Sequence, residues 1–134
     1  DQIFLVLSGH IGGQGHGIER NDSGKDVHHL LSDYQPRWRA AKAADRDGPS
    51  EGNPLTGDGW LPLLTFRLDG DAPEIQVRTY STHFGQYASE MPEYASWYKA
   101  GERQAELDDE AFVARDEFVI ELGDFHQRFG AADR

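Results

Sequence analysis

The chain has 134 residues with 13 basic and 24 acidic side chains, a formal net charge of −11 and 37% hydrophobic residues. This size suits one globular domain with a modest core, and the negative charge argues against nonspecific binding to nucleic-acid phosphates. The absence of cysteine excludes disulfides, thiolate metal sites and cysteine nucleophiles, and no apolar run approaches the ~20 residues of a membrane span.

The first elements are a short apolar strand, a glycine-rich loop and a second strand. Residues 3–7 (IFLVL) form an unbroken apolar run, which predicts a strand buried on both faces. Residues 9–17 (GHIGGQGHG) contain five glycines, and we expect a loop with unusual backbone freedom rather than a regular element. Residues 21–24 (NDSG) have turn chemistry, and residues 27–34 predict the second strand.

The middle of the chain predicts a long excursion followed by a meander. Residues 36–58 are rich in proline, glycine and charge, which is typical of an irregular excursion. Residues 60–68 predict a strand that Pro62 restricts to a sheet edge or end. Residues 74–80 alternate apolar and polar side chains, which predicts a half-exposed strand.

The last third predicts helices and a closing strand. Residues 89–116 are expected to be helical, with Ser89 capping a first helix and Asp108 or Asp109 capping a second. Residues 118–122 (FVIEL) predict a strand with Phe118, Ile120 and Leu122 on one face. The sum is a mainly β fold of the α+β class, an antiparallel layer with a helical insertion.

Charge is distributed unevenly along the chain. Residues 37–46 are basic, whereas residues 102–121 contain eight acidic side chains. The simpler interpretation is two solvated surfaces of opposite sign. The alternative is that one segment docks onto the other, within a chain or between chains.

Four segments resemble a known family in their order and spacing. They are residues 4–13 (FLVLSGHIGG), 27–35 (VHHLLSDYQ), 57–66 (GDGWLPLLTF) and 75–81 (IQVRTYS). Together they resemble the C-terminal portion of a calcineurin-like metallophosphoesterase domain. The resemblance implies that residues 1–134 are a single partial domain, part of a β-sandwich, with insertions at 36–58 and 88–116.

The resemblance also implies a candidate site. In that family two divalent ions activate a water that attacks a phosphate ester, and the ligands come from five motifs ending in Gly-His-x-His. Only this last motif is matched here: His10 takes the place of its first histidine, Gly12 replaces the second, and the other motifs would precede Asp1. His16 is a candidate to replace the missing ligand, or else an exposed loop histidine. Asp33 is a candidate to orient His10, or else it satisfies backbone groups at a strand end.

The remaining histidines and hydroxyls give weaker signals. His28 and His29 are adjacent on a strand and therefore point to opposite faces, while His83 and His126 have no ligand spacing around them. Ser8 with His10 permits a nucleophile-and-base interpretation, without the Gly-x-Ser-x-Gly context. The glycine loop could also bind an anion through its amides, with Arg20 and Lys25 nearby.

Three functions follow as hypotheses. The first is a hydrolase, a truncated relative of metal-dependent phosphoesterases that keeps part of a site for Mn, Zn, Fe or Mg and acts on a small-molecule phosphate ester. The second is a non-catalytic β module for assembly or binding, and the third is a small hydrolase whose site is built between chains. Because the strand at residues 3–7 needs cover on both faces, we expect a homo-oligomer. We expect no nucleic-acid or membrane partner, and the resemblance favours an exported protein.

Overall fold

The computed structural model describes residues 2–37 and 57–130. Within these ranges the chain forms strands and short helices, together with 3₁₀ turns at Gly57–Gly59 and Ala88–Glu90. The strands are β1 (Leu5–Ser8), β2 (Gly13–Arg20), β3 (Asp26–Asp33), β4 (Trp60–Arg67), β5 (Glu74–Ser81), β6 (Gln86–Tyr87) and β7 (Phe118–Glu121). The helices are α1 (Tyr94–Tyr98), α2 (Asp109–Ala114) and α3 (Phe125–Phe129).

The first sheet has the strand order β1-β3-β2. β2 and β3 form an antiparallel hairpin, whose turn is held by the Asn21 Oδ1 accepting the N–H groups of Ser23 and Lys25 at 3.0 Å each. β1 pairs with β3 in parallel, so the predicted layer is not wholly antiparallel. The expectation of a loop across residues 13–17 is wrong, because β3 offers a complete hydrogen-bond ladder and the glycines pair with it in register.

The second sheet has β5 at its centre, paired with β4 on one side and with β6 and β7 on the other. Every second residue of β5 is buried, which confirms the predicted alternation. Pro62 lies on β4, an edge strand of this sheet, as a residue without an N–H requires.

The two sheets face each other across an apolar core. Its buried members come from β3, β5 and β7 and from the residue after β7: Leu30, Ile75, Val77, Ile120 and Leu122. This confirms a mainly β, α+β architecture. The prediction that the first strand is buried on both faces is wrong for the chain alone. β1 is an edge strand, and Leu7 is 62% exposed, since the described residues supply cover on only one side.

The helical insertion packs on a second core at one end of the sheets. This core joins α1, α2 and the 3₁₀ turn at Ala88–Glu90 to aromatic residues from the two sheets. Asp108 caps α2 as predicted, its Oδ1 accepting the Ala111 N–H at 2.6 Å. Ser89 does not cap a helix. It lies in the 3₁₀ turn, and its hydroxyl donates to Glu117.

A buried cation lies at the centre of the second core. Arg37 is 1% exposed; its Nε donates to Glu102 Oε1 at 2.6 Å, and its Nη2 donates to Asp116 Oδ2 at 3.1 Å. The guanidinium also donates to the Tyr94 hydroxyl, and it lies over the rings of Tyr34, Tyr94 and Tyr98 at 4.2–4.9 Å. Arg37 is therefore not part of a solvated basic surface. It docks onto the acidic segment of the same chain.

The charges in this cluster depend on one another. Burial disfavours the charged form of the Arg37 guanidinium and so lowers its pKa. The electrostatic effects of Tyr94, Asp116 and Glu102 are larger together, and they hold the pKa of Arg37 well above its ordinary value. Burial raises the pKa of Glu102, and Arg37 offsets only part of that effect. Burial and the Asp116 carboxylate raise the pKa of Tyr34, so that its hydroxyl stays protonated and donates to Asp116 Oδ1 at 2.7 Å.

Most of the excursion predicted at residues 36–58, including Arg39, Lys42 and Arg46, lies outside the described residues. None of the described helices is long and apolar enough to cross a membrane.

Replacing Arg37 by methionine should destabilise the fold strongly. The variant keeps most of the side-chain volume but leaves Asp116 and Glu102 buried without their cation. A broken buried ion pair of this kind costs about 3–5 kcal/mol. The free energy of unfolding from urea titration, followed by circular dichroism, measures this loss.

Arg67→Met is the matched control. Arg67 pairs with Glu74 at 2.7 Å on the surface, where its side chain is 56% exposed. A surface pair of this kind contributes less than about 1 kcal/mol. Equal losses in the two variants would show that the buried cluster is not a special source of stability.

Candidate functional site

The loop between β1 and β2 presents the first candidate residue, His10. This side chain is exposed, and its backbone has φ 75°, in the left-handed region that residues other than glycine rarely adopt. Such a conformation costs on the order of 1 kcal/mol and is common at functional sites. The loop therefore holds an imidazole outward in a conformation that its own backbone preference does not favour.

Gly12 stands where the resembled motif has its second histidine. A Cβ placed on Gly12 would lie 2.5 Å from Pro36 Cγ, which is closer than real Cβ contacts allow. A histidine at position 12 would therefore require Pro36 to move. Gly12 therefore allows the loop to lie close to the Pro36 ring.

Asp33 ends β3 beside the same loop. His10 and Asp33 both line an open depression of about 520 Å³, whose walls include Tyr34, Trp60 and Pro62. The Asp33 Oδ1 accepts the Gln35 N–H at 3.0 Å, so the carboxylate caps the strand end. In the described chain His10 and Asp33 share the depression but form no hydrogen bond with each other.

Gly57 closes one side of this depression. It has φ 53°, and a Cβ on it would lie 2.5 Å from the Tyr34 carbonyl oxygen. Only glycine permits this approach of the segment before β4 to the end of β3. Asp58, the next residue, is fully buried: its carboxylate accepts from the Tyr98 hydroxyl at 2.5 Å, and its carbonyl accepts from Ser81 at 2.6 Å.

His16 belongs to a different part of the molecule. It lies on β2, where its Nε2 is 3.2 Å from His28 Nδ1, and its ring stacks on those of His28 and Phe118. His16 does not line the His10 depression. The structure thus brings His10 together with Asp33 and His16 together with His28.

The His16–His28 pair lies on the inner face of the first sheet. Burial lowers the pKa of His16, and burial together with the neighbouring His16 lowers the pKa of His28. Both rings therefore prefer the neutral form, in which one can donate and the other accept.

The donor groups of the described residues do not form a two-metal centre. Such a centre needs several carboxylate and imidazole ligands around ions roughly 3.5–4 Å apart. Residues 2–37 and 57–130 contain no group of three or more His, Asp or Glu side chains placed to hold a metal ion. The His10 depression offers one imidazole and one carboxylate, enough for part of a site.

The other sequence candidates have separate roles. Ser8 Oγ donates to the Leu30 carbonyl at 3.3 Å, and His126 Nε2 lies 2.6 Å from the Gly70 carbonyl oxygen. His29 faces Glu19 at 3.8 Å, and His83 packs on Phe84.

The two cations proposed to help the glycine loop bind an anion lie at the other end of the hairpin. Arg20 pairs with Asp26 at 3.4 Å, and Lys25 with Asp124 at 3.8 Å. The length of β2 separates them from the start of that strand by about 25 Å.

Sequence reasoning raised docking of residues 37–46 on residues 102–121 as an alternative, but it did not identify the buried polar cluster of Arg37, Asp116 and Tyr94. The first signal of this cluster is the basic excess of residues 37–46 together with the acidic excess of residues 102–121, because opposite charges in separate segments can pair. The tyrosines gave the second signal, since aromatic hydroxyls frequently satisfy buried charges.

Comparison with known proteins does not assign the chain to a family. No protein-family model matches it, and neither the curated proteins nor the solved structures contain a significant match.

Stability should fall on acidification through the His16–His28 pair. Unfolded histidine has a pKa near 6.5, and the folded values lie lower, so the unfolded state binds more protons as the pH drops. The unfolding free energy should therefore decline from about pH 7.5 to 5.5. Urea titrations at several pH values, with chelator present, measure this slope.

His28→Asn should reduce that slope. His29→Asn, on the opposite face of the same strand, controls for replacing a histidine here. An identical pH dependence in wild type and His28→Asn would show that the pair does not control acid stability.

Proposed function

We propose that this chain contributes His10 to a divalent-metal site that hydrolyses phosphate esters. In this proposal a single chain carries only part of the site, and other chains supply the remaining ligands. The observation that carries the proposal is the shared depression of His10 and Asp33. These residues are 23 positions apart in the sequence, yet they open into the same space of about 520 Å³.

The chemistry of the two side chains supports this role. A neutral imidazole is a common ligand for Zn and Fe, and a carboxylate favours Mn and Mg. A divalent ion would supply charge stabilisation and an activated water for attack on the phosphorus. The chain's own contribution is to expose the His10 ring and to present the Asp33 carboxylate to the same depression.

The resemblance of residues 4–13 to the last ligand motif of calcineurin-like metallophosphoesterases supports the same assignment. The strain at His10 adds an independent argument, because a backbone outlier at an exposed histidine is expected where the ring position matters. The substrate class proposed is a small phosphomonoester or phosphodiester, since the depression is wide and open to solvent.

A second copy of the chain is proposed to complete the cover of β1. Three large apolar side chains in or beside this strand are exposed, Ile3 by 62%, Leu7 by 62% and Ile11 by 70%. β1 is also an edge strand with a parallel partner on one side only. Parallel strands are normally covered on both faces, and a free apolar edge favours pairing with another chain.

Hydrolysis of a chromogenic phosphodiester tests the catalytic proposal. With Mn²⁺ or Zn²⁺ added, wild type should turn over the substrate, and chelator should abolish the activity. His10→Ala should lower the rate at least about 10-fold, because the loss of even an outer-shell partner of a metal typically costs 10–100-fold.

His29→Ala provides the matched control, a half-buried histidine on β3 that does not line the depression. It should keep near wild-type activity. Turnover that survives chelation would contradict a metal-dependent site, and the absence of turnover with either metal would remove the catalytic proposal.

Light scattering after size exclusion tests the oligomer. Wild type should elute as more than one chain, and Leu7→Lys should shift the population towards monomer because a charge then lies in the covered face. Ile18→Lys is the control, on the other edge strand of the same sheet and 54% exposed. A wild-type monomer at all concentrations would contradict this arrangement.

One observation favours the alternative function, a non-catalytic module for assembly. The exposed apolar edge is a ready binding surface, whereas the described residues lack a three-ligand group. An oligomer with no turnover under any metal condition would support this alternative.

A further inference from the structure

A second cavity lies between the two sheets, separate in its chemistry from the His10 depression. It has a volume of about 270 Å³ and opens to solvent past Leu7 and Ser8 at the β1 edge. Aliphatic and aromatic side chains form most of its wall, among them Leu30, Leu64 and Phe118. A space of this size and lining accommodates a small, largely apolar molecule.

One polar side chain in this wall has no partner. Gln14 is only 6% exposed, and both its Oε1 and its Nε2 lack a hydrogen bond in the described structure. Gln14 lies on β2, opposite Ser32, on the same inward face of the sheet as His16. Its carboxamide is therefore buried in an apolar surrounding with a donor and an acceptor both unused.

The other buried polar side chains of the wall are already engaged. The Tyr34 hydroxyl donates to Asp116 at 2.7 Å, and Thr79 Oγ1 donates to the Asp116 carbonyl at 3.0 Å. Arg115 donates to the backbone carbonyl of Gln14, not to its side chain. Gln14 is thus the buried polar side chain in this wall that remains available to a molecule in the cavity.

An unpaired buried amide is costly. A buried donor or acceptor without a partner has lost its hydrogen bond to water and gained nothing in return, and native proteins retain few such groups. A hydrophobic residue at position 14 would avoid this cost and fill the same wall. The presence of glutamine therefore favours a role in which both amide atoms are used.

We propose that this cavity binds a small molecule with an apolar chain and a terminal amide. An amide presents a donor beside an acceptor, and it can pair with both atoms of the Gln14 carboxamide at once. The apolar chain would contact Leu30, Leu64 and Phe118. This binding site is independent of the proposed hydrolysis at His10.

Titration with hexanamide and 2-heptanone tests the proposal. The two probes have the same number of non-hydrogen atoms, but the ketone replaces the NH₂ group by a methyl group and cannot donate. In ¹H–¹⁵N spectra, hexanamide should shift the Gln14 side-chain signals, which are identified by their loss in Gln14→Leu. Hexanamide should bind about tenfold more tightly than 2-heptanone, because the ketone leaves the Gln14 oxygen unpaired.

The variants separate recognition by Gln14 from simple burial of the probe. Gln14→Leu should remove the preference for the amide, whereas Gln86→Leu, at an exposed position on β6, should keep it. Leu64→Phe fills part of the cavity while retaining Gln14, and it should weaken both probes. It also provides the decisive measurement if Gln14→Leu fails to fold.

Three results would overturn the proposal. The first is the absence of a saturable shift with hexanamide, which is expected for a cavity that holds water only. The second is equal affinity for the two probes. The third is binding of both probes that Leu64→Phe leaves unchanged.

Discussion

A single buried charge governs the arrangement of this fold. The Arg37 guanidinium cannot remain in an apolar interior without partners, because an unpaired buried cation costs several kcal/mol. Its partners come from three separate places: Tyr34 at the end of β3, Glu102 after α1, and Asp116 after α2. Satisfying it therefore fixes the helical insertion against the end of the first sheet. The same requirement sets the position of Tyr34, and with it the adjacent Asp33 at the His10 depression.

Where local chemistry decides the structure, the sequence predicted it well. The alternation in β5 and the Asp108 cap depend on neighbours a few residues away, and both are confirmed. The glycine-rich start of β2 was predicted as a loop because glycine lowers strand propensity. Pairing with β3 overrides that propensity, and it is visible only in three dimensions. The apolar run of β1 correctly indicated a strand. Such a run does not reveal which residues, of this chain or of another, cover the apolar side chains.

The candidate site also combines features that the sequence predicts with features that only the three-dimensional structure shows. Sequence reasoning named His10, His16 and Asp33, and it left open whether either partner lies near His10. The position of His16 depends on the extent of β2. Because β2 spans Gly13–Arg20 and its side chains alternate between the two faces, His16 lies on the inner face beside His28. His10 stays in the loop and lines the same depression as Asp33, at the end of β3. The Gln14 cavity needed the whole sandwich, because its walls come from both sheets.

The strand order of the first sheet also bears on how the chain folds. β2 and β3 are joined by a tight turn, so their hairpin closes a short loop and can form early, on the microsecond scale of local hairpins. β1 precedes both in sequence but lies on the far side of β3, and its parallel ladder joins residues more than 20 positions apart. Its docking closes a longer loop than the hairpin does, and we expect it to follow the hairpin. β1 pairs with β3 at four positions, whereas β2 pairs with it at eight, which makes β1 the natural point of local opening in this sheet.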